Sequence, residues 1–218
     1  MSSKVDENKD EIILEELKDI LSTVKSELSF AEAKHAAFLA FAVVVLFELV
    51  GSYNSDYGIV YKCVYFLFVI LWLVPMYKCL SSFNPNTNEF RDRDVVSSNG
   101  DNDVLIFFGS ISKYKSAELY LKDLYKKYFD YEIDDVSKLN LDYSKQILIN
   151  SQITQKKYDL FKSALKWTKN IFISFTICMI VVLIGDFISN NNDIIKRLYE
   201  KNDSISVEIN SINNNKSK

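Results

Sequence analysis

The side chains and motifs of this sequence give no support for covalent catalysis. His35 has no cysteine or second histidine near it. Cys63, Cys79 and Cys178 lie in or beside apolar segments, where they are typical of small packing residues rather than of a disulfide or a metal site. The sequence has no glycine-rich phosphate loop, H-E-x-x-H or G-x-S-x-G motif. We therefore expect no enzymatic activity, no metal and no cofactor.

Charged residues in or beside the apolar segments are more informative. Glu48, Lys62 and Asp186 each lie in such a position. A charge at the centre of a bilayer costs about 2.5 to 3.5 kcal/mol on insertion scales. We therefore expect these three groups to face protein or water, as in a pore, or to extend to the membrane interface. Glu32 and Lys34 precede the first apolar segment, and they either pair between subunits or form a solvated helix face.

The apolar residues are gathered into three blocks, although the mean hydropathy of the chain is near zero. The blocks run from Ala36 to Val50, from Ile59 to Tyr77 and from Ile171 to Ile184. With its flanks, each block reaches the roughly 20 residues that a helix needs to cross a bilayer. We predict three transmembrane helices, with a buried core helix as the alternative for the first block. His35, at its start, is then expected to be an ordinary residue at the membrane surface.

Lysine and arginine residues set the predicted orientation. They precede the first span, follow the second and precede the third, whereas the loop SYNSDYG between the first two spans has none. By the positive-inside rule, the N-terminus and the long middle segment face the cytosol. The formal net charge is −3, and basic residues alternate with acidic ones. Because no basic stripe is present for a phosphate backbone, nucleic acid is not an expected partner.

Apolar residues at helical spacing precede the first and third spans. No glycine or proline lies between Asp10 and Val50, so we predict one helix that continues from the cytosol into the first span. A second such helix is predicted to lead into the third span. The apolar positions of the first are Ile13, Leu17, Ile20, Val24, Leu28 and Ala31, and those of the second are Ile149, Ile153, Leu160, Ala164 and Trp167.

The remaining segments are assigned from turn, cap and composition signals. Pro75 is expected to end the second span. The segment DVLIFFGSIS predicts a short strand, or a buried loop with Gly109 at a turn. Ser116 is a predicted N-cap for the helix KSAELYLKDLYKKYF. The last dozen residues are polar and low in complexity, and we expect them to be disordered.

The predicted fold is an all-α membrane protein with three transmembrane helices, long cytosolic helical extensions and a small, mainly helical cytosolic domain. Its segments are a cytosolic amphipathic helix at 1–34, transmembrane helices at 35–51, 57–77 and 167–188, a cytosolic sensor domain at 78–166 and a polar, partly disordered tail at 189–218.

Three stretches resemble parts of bacterial Pycsar transmembrane effectors, in the same order along the chain. FAEAKHAAFLAFAVVV resembles the start of the first span, VLIFFGSIS follows a proline-containing linker, and INSQITQKKYDLFKSALKW leads into the final span. The resemblance extends from roughly Leu28 to Ile184. Two features depart from the family pattern: His35 stands where a small residue is expected, and EFRDRDVVSSNGDND is longer and more polar than the family's linker.

The resemblance implies a role in anti-phage defence. Pycsar effectors act beside a cyclase that makes cyclic UMP or cyclic CMP on infection, and the membrane effectors then impair the bacterial inner membrane, which kills or arrests the cell. The implied partners are the lipid bilayer, the cyclic nucleotide, the cyclase and further copies of the chain. The alternatives are a passive membrane scaffold or accessory subunit that binds a partner through its cytosolic helices, and a membrane effector that answers a cyclic oligonucleotide.

A cyclic mononucleotide would have to bind the segment from Asn84 to Lys166, which is both cytosolic and large enough for a pocket. Its phosphate needs hydrogen-bond donors or positive charge. The cations nearest to the apolar element VLIFFG are the predicted ligand residues, namely Arg91, Arg93, Lys113 and Lys115.

Overall fold

The computed structural model describes residues 2–53, 55, 58–84, 104–130 and 136–216. Within these ranges the chain forms helices and no strand. The helices are α1 (Ser2–Gly51), α2 (Ile59–Ser81), α3 (Phe108–Ile111), α4 (Ala117–Phe129) and α5 (Lys138–Lys216). Three of them, α1, α2 and α5, contain segments long and apolar enough to cross a membrane. The all-α membrane fold predicted from the sequence is therefore confirmed.

The helix that precedes the first apolar block continues into it, as predicted. Helix α1 has 50 residues, a length of about 75 Å at 1.5 Å per residue. Helix α5 has 79 residues and likewise passes without a break into the third apolar block. The predicted N-cap of α4 is also confirmed, because the Ser116 side chain accepts a hydrogen bond from the backbone N–H of Leu119 at 3.2 Å.

Two local predictions were wrong. The segment predicted as a short strand, or as a loop with a turn at Gly109, instead forms a turn followed by α3, with Gly109 inside the helix. Pro75 does not end α2, which continues to Ser81; helices in apolar surroundings tolerate proline where neighbouring groups satisfy the freed carbonyl. Helix α5 extends to Lys216, and no proline or glycine follows Gly185 to break it; partial disorder of the tail stays a prediction.

The chain divides into two compact units. The first comprises Met1–Tyr53 and Trp72–Thr168. Its core is formed by the first half of α1, by α3 and α4, and by the start of α5. Ile13, Leu17 and Val24 of the predicted α1 stripe are each at most 2% exposed, and burying such a side chain contributes about 1.5–3 kcal/mol. The N-terminal stripe therefore faces the core, as its spacing predicts.

Polar side chains make up much of the buried face of α5. The hydroxyls of Ser144, Thr154 and Thr168 donate to backbone carbonyls four residues earlier, at 2.8, 2.7 and 3.0 Å. A small hydroxyl that bonds to its own helix can be buried without an external partner. The predicted apolar stripe is correspondingly wrong at Ile149 and Trp167, which are 42% and 43% exposed.

The second unit comprises Asn54–Leu71 and Lys169–Lys218. The ring of Phe68 on α2 stacks on that of Phe175 on α5, with 4.1 Å between centroids. The Tyr61 hydroxyl donates to the carboxylate of Asp186. Aromatic packing and the Tyr61–Asp186 hydrogen bond therefore join α2 to α5 within this unit.

Candidate functional site

His35 lies where α1 changes from amphipathic to apolar, and it is completely buried. Its Nε2 donates to the backbone carbonyl of Lys157 on α5 at 2.9 Å. Because a carbonyl oxygen only accepts, Nε2 carries the proton, and Nδ1 of the neutral ring is an acceptor. Nδ1 has no hydrogen-bond partner in the described part of the chain. The expectation of an ordinary surface histidine was wrong, because His35 links α1 to α5.

The side chain of Lys157 joins three helices at the same place. It is 8% exposed, and its Nζ donates to the carbonyl of Ser82, just after α2, at 3.0 Å. The same ammonium lies 3.2 Å from a carboxylate oxygen of Glu32 on α1. A cation at the C-terminal end of a helix also interacts favourably with the helix dipole. We call the contacts of His35, Lys157, Ser82 and Glu32 the three-helix junction.

Aromatic rings enclose the polar groups of the junction. The ring of His35 meets those of Phe161 and Phe83 edge-on, with centroids 5.4 and 6.1 Å apart. The Lys157 ammonium lies 5.4 Å from the centroid of Phe83. Low-dielectric surroundings of this kind strengthen a satisfied hydrogen bond and penalise an unsatisfied one. The junction is thus sensitive to the loss of either buried hydrogen bond, from His35 or from Lys157.

Lys34 and Tyr158 extend these contacts towards the packed core. The Lys34 ammonium lies over the rings of Phe30 and Tyr158, at 4.1 and 4.8 Å from their centroids. The Tyr158 hydroxyl donates to Glu27 at 2.9 Å. Burial, and then this hydrogen bond, raise the pKa of Tyr158 to about 12, so the hydroxyl remains a donor at neutral pH. Glu32 and Lys34 therefore both have partners within the chain.

The predicted charges near the spans have different surroundings. Asp186 is exposed and accepts a hydrogen bond from the Tyr61 hydroxyl. Glu48 is exposed, and its backbone carbonyl accepts from the Ser52 hydroxyl at 2.7 Å. Lys62 is partly buried near the start of α2. A pore-lining role for any of the three stays a prediction.

The four predicted ligand residues are described only in part. Lys113 and Lys115 are exposed and lie in the turn that connects α3 to α4. Arg91 and Arg93 lie outside the described residues. The structure therefore brings two of the four cations into one turn.

A second candidate for ligand binding is a groove between α1 and α5. It has a volume of about 370 Å³ and is lined by Lys18, Leu21, Ser22, Lys25, Tyr143 and Gln146. Residues four and three apart on a helix share a face, which explains why the two lysines and Ser22 meet there. This groove was not predicted, because it lies outside the segment between the second and third spans where the ligand was expected to bind. The sequence signal for the groove was the spacing of Lys18 and Lys25 beside the buried apolar stripe of α1.

Comparison with known families identifies the class of protein to which this arrangement belongs. A family model described as the Pycsar effector protein domain matches residues 16–185. The chain belongs to this family. The matched range contains the groove, the three-helix junction and the apolar segments as far as Gly185. No curated protein and no solved structure matches this Pycsar effector.

Family membership and the apolar helices together establish the general role and the location of the protein. This Pycsar effector has three helices long and apolar enough to cross a membrane, so it is a multi-pass membrane effector of an anti-phage system in the bacterial inner membrane. In the described ranges, no group of three or more histidine, cysteine, aspartate and glutamate side chains could hold a metal ion.

Proposed function

We propose that a cyclic pyrimidine mononucleotide, cyclic UMP or cyclic CMP, activates this effector, which then impairs the inner membrane and stops the infected cell before phage are released. The observation that carries the proposal is the continuity of α1 and α5 in a chain of the Pycsar effector family. Both helices contribute to the packed core and both enter an apolar segment. A ligand that moves the packed part therefore moves the segments that cross the bilayer.

The groove between α1 and α5 suits a nucleotide of this size. Its volume of about 370 Å³ lies within the range of about 300–1,000 Å³ that is usual for small-molecule sites. In the proposed complex Lys18 or Lys25 binds the cyclic phosphate, and the ring of Tyr143 stacks on the pyrimidine. Gln146 can both donate to and accept from a base edge. With the N-terminus in the cytosol, this groove faces the compartment where the cyclase works.

Activation requires a second arrangement of the helices. A ligand shifts an equilibrium only by its differential affinity for the two states. The groove is lined by both α1 and α5, so a nucleotide that fits a different spacing of these helices would favour that spacing. The three-helix junction, which fixes α1 against α5 through His35 and Lys157, is the contact that such a change would strain.

Membrane damage is proposed to involve several copies of the chain and a neighbouring cyclase. A homo-oligomer could enclose a path for ions between the spans of its copies. Chemical crosslinking of the chain in membranes, with and without the nucleotide, tests whether several copies associate. A passive scaffold, the rival function, would leave the membrane potential unchanged when nucleotide is made.

Calorimetry of the full chain in detergent, with cyclic UMP, cyclic CMP and a cyclic dinucleotide as titrants, tests which nucleotide binds. We expect one cyclic pyrimidine mononucleotide to bind. A charge-assisted hydrogen bond contributes about 1.5–3 kcal/mol, so Lys18→Met with Lys25→Met should weaken binding by about tenfold or more.

The matched variant is Lys113→Met with Lys115→Met, which removes two cations from the other candidate site. Loss of binding in this variant alone would show that the nucleotide binds at the turn between α3 and α4. Binding of the cyclic dinucleotide alone would overturn the proposed signal, and the absence of any binding would overturn activation by cyclic nucleotides.

A further inference from the structure

The part of α5 that follows the third apolar block carries a heptad pattern. Helix α5 continues to Lys216, so the extension beyond Ile188 measures about 42 Å at 1.5 Å per residue. Apolar residues spaced alternately three and four apart fill the a and d positions of a coiled coil. We call these positions the α5 seam; the a positions are Ile188, Ile195, Asn202 and Ile209, and the d positions are Asn191, Leu198, Ile205 and Ile212.

The membrane-proximal part of the seam faces away from α2. Ile188, Ile195 and Leu198 are 54%, 50% and 62% exposed. Helix α2 contacts the other side of α5, at Phe175 and Asp186. With 3.6 residues per turn, Ile188 and Ile195 lie about 200° and 180° around the helix from Asp186. Contacts with α2 therefore leave this side of α5 open.

The two asparagines of the seam select an identical chain as the partner. A buried amide needs hydrogen-bond partners, and a second asparagine amide supplies both a donor and an acceptor. When two copies pair in parallel and in register, Asn191 and Asn202 each meet the same residue of the other copy. A shift by one heptad would place Asn202 against Ile195 or Ile209 instead, which leaves its amide unsatisfied. A single polar residue at an a position fixes register in this way.

The bilayer and the flanking charges favour the same pairing. Copies that insert with one orientation hold their α5 helices parallel and at equal height. In a parallel pair, each g position faces the next e position of the other helix, so Lys201 faces Ser206 and Glu208 faces Asn213. These positions therefore bring no like charges together.

The apolar area of the seam is sufficient for a stable pair. The seam has six apolar residues in each copy, and a side chain of this size buries roughly 60–120 Å². Two copies would then bury about 700–1,400 Å², which reaches the roughly 1,000 Å² expected of a specific interface.

We propose that the α5 seam pairs with the seam of a second copy as a parallel, in-register coiled coil beyond the third span. This pairing specifies the surface for the association of copies on which the proposed membrane damage rests, and it does not require the nucleotide. It would hold the third spans of two copies side by side before any signal arrives.

Cysteine crosslinking of the full chain in bacterial membranes tests the pairing. Leu198→Cys, Ile205→Cys and Ile212→Cys place thiols at d positions, whereas Glu200→Cys, Val207→Cys and Asn214→Cys place them at f positions on the outer sides of the pair. A disulfide needs Cα atoms within about 7 Å of each other, which a d pair meets and an f pair does not. The wild type, oxidised in parallel with copper phenanthroline, measures dimers formed by the native cysteines.

We expect the d variants to give several-fold more disulfide-linked dimer than the f variants and the wild type, without the cyclase. In the Leu198→Cys chain, the further substitution Ile205→Asp should abolish the excess dimer, whereas Val207→Asp, at an f position, should leave it. The membrane fraction is compared for all variants, so that each yield refers to inserted protein.

Equal yields at d and f positions, or no dimer above the wild type at any position, would overturn the pairing. Retention of the dimer in the Ile205→Asp variant would also overturn it. A disulfide to a different protein would assign the seam to another partner. Dimers that persist with a lysine-directed crosslinker while the d cysteines give none would show that copies associate elsewhere, so the proposed association would stand and the seam alone would fail.

Discussion

Replacement of Lys157 by methionine removes the ammonium that joins α1, α2 and α5 at the three-helix junction. Methionine keeps a similar length and an apolar stem, so the packing of the buried side chain is largely retained. The hydrogen bond to the Ser82 carbonyl and the ion pair with Glu32 are both lost. The substitution therefore tests whether these polar contacts hold the junction in its packed arrangement.

The magnitude follows from the exposure of each partner. A hydrogen bond from a charged group contributes about 1.5–3 kcal/mol, and Ser82 is 6% exposed, so little water can replace the lost donor. The Glu32 side chain is 48% exposed, and ion pairs at such positions contribute about 0–1 kcal/mol. We expect a net cost of about 2 kcal/mol, or roughly a 30-fold shift towards a loosened junction.

The assay is basal depolarisation in bacteria that express the effector without a cyclase, measured with a voltage-sensitive dye at matched membrane levels. We expect Lys157→Met to depolarise cells without a signal, because the packed junction belongs to the ligand-free chain. Glu32→Gln should have a much smaller effect. Lys162→Met, which removes an exposed lysine from the same helix, is the control and should behave as the wild type.

Two results would refute this reasoning. Wild-type basal potential in Lys157→Met, together with a normal response to the cyclase, would show that the junction does not hold the resting state. A larger effect of Glu32→Gln than of Lys157→Met would show that the half-exposed ion pair matters more than the buried hydrogen bond.

Substitutions at three other contacts are expected to change the free energy of unfolding, measured by thermal unfolding of the full chain in detergent. Trp72→Phe removes the 2.9 Å hydrogen bond from the buried indole to the Ala42 carbonyl, which should cost about 1 kcal/mol or more; an unchanged midpoint would refute this. Tyr125→Phe leaves the Asn140 amide without its 2.9 Å partner, so we expect a loss of about 1–3 kcal/mol. Ser116→Ala should cost about 1 kcal/mol through loss of the α4 N-cap, whereas Ser116→Asp should retain stability.

The sequence was informative where one physical effect dominates. The α1 stripe and the three apolar blocks were predictable because burial of apolar surface sets both patterns, and no residue between Asp10 and Val50 breaks a helix. Ser116 could be recognised because its hydroxyl satisfies a backbone N–H at the start of α4. These signals act over a few residues and need no knowledge of distant contacts.

The junction could not be predicted because its contacts join residues far apart in the sequence. His35 and Lys157 are separated by 122 positions, and each alone resembles an ordinary polar residue near a membrane. The apolar stripe predicted for α5 was wrong in part, since serine and threonine bonded to their own helix can occupy buried positions that are expected to be apolar. The turn and α3 around Gly109 were missed because β-branched and aromatic residues there favoured a strand.

The most direct test of the central claim is proline substitution in the two helices that lead into the membrane. Ser29 and Lys162 are exposed positions on α1 and α5, and proline inside a helix costs about 3 kcal/mol or more. With cyclase co-expressed, we expect Ser29→Pro and Lys162→Pro to reach the membrane but not to depolarise it, whereas Ser29→Ala and Lys162→Met respond normally. Full signal-dependent depolarisation by both well-expressed proline variants would contradict transmission through rigid helices.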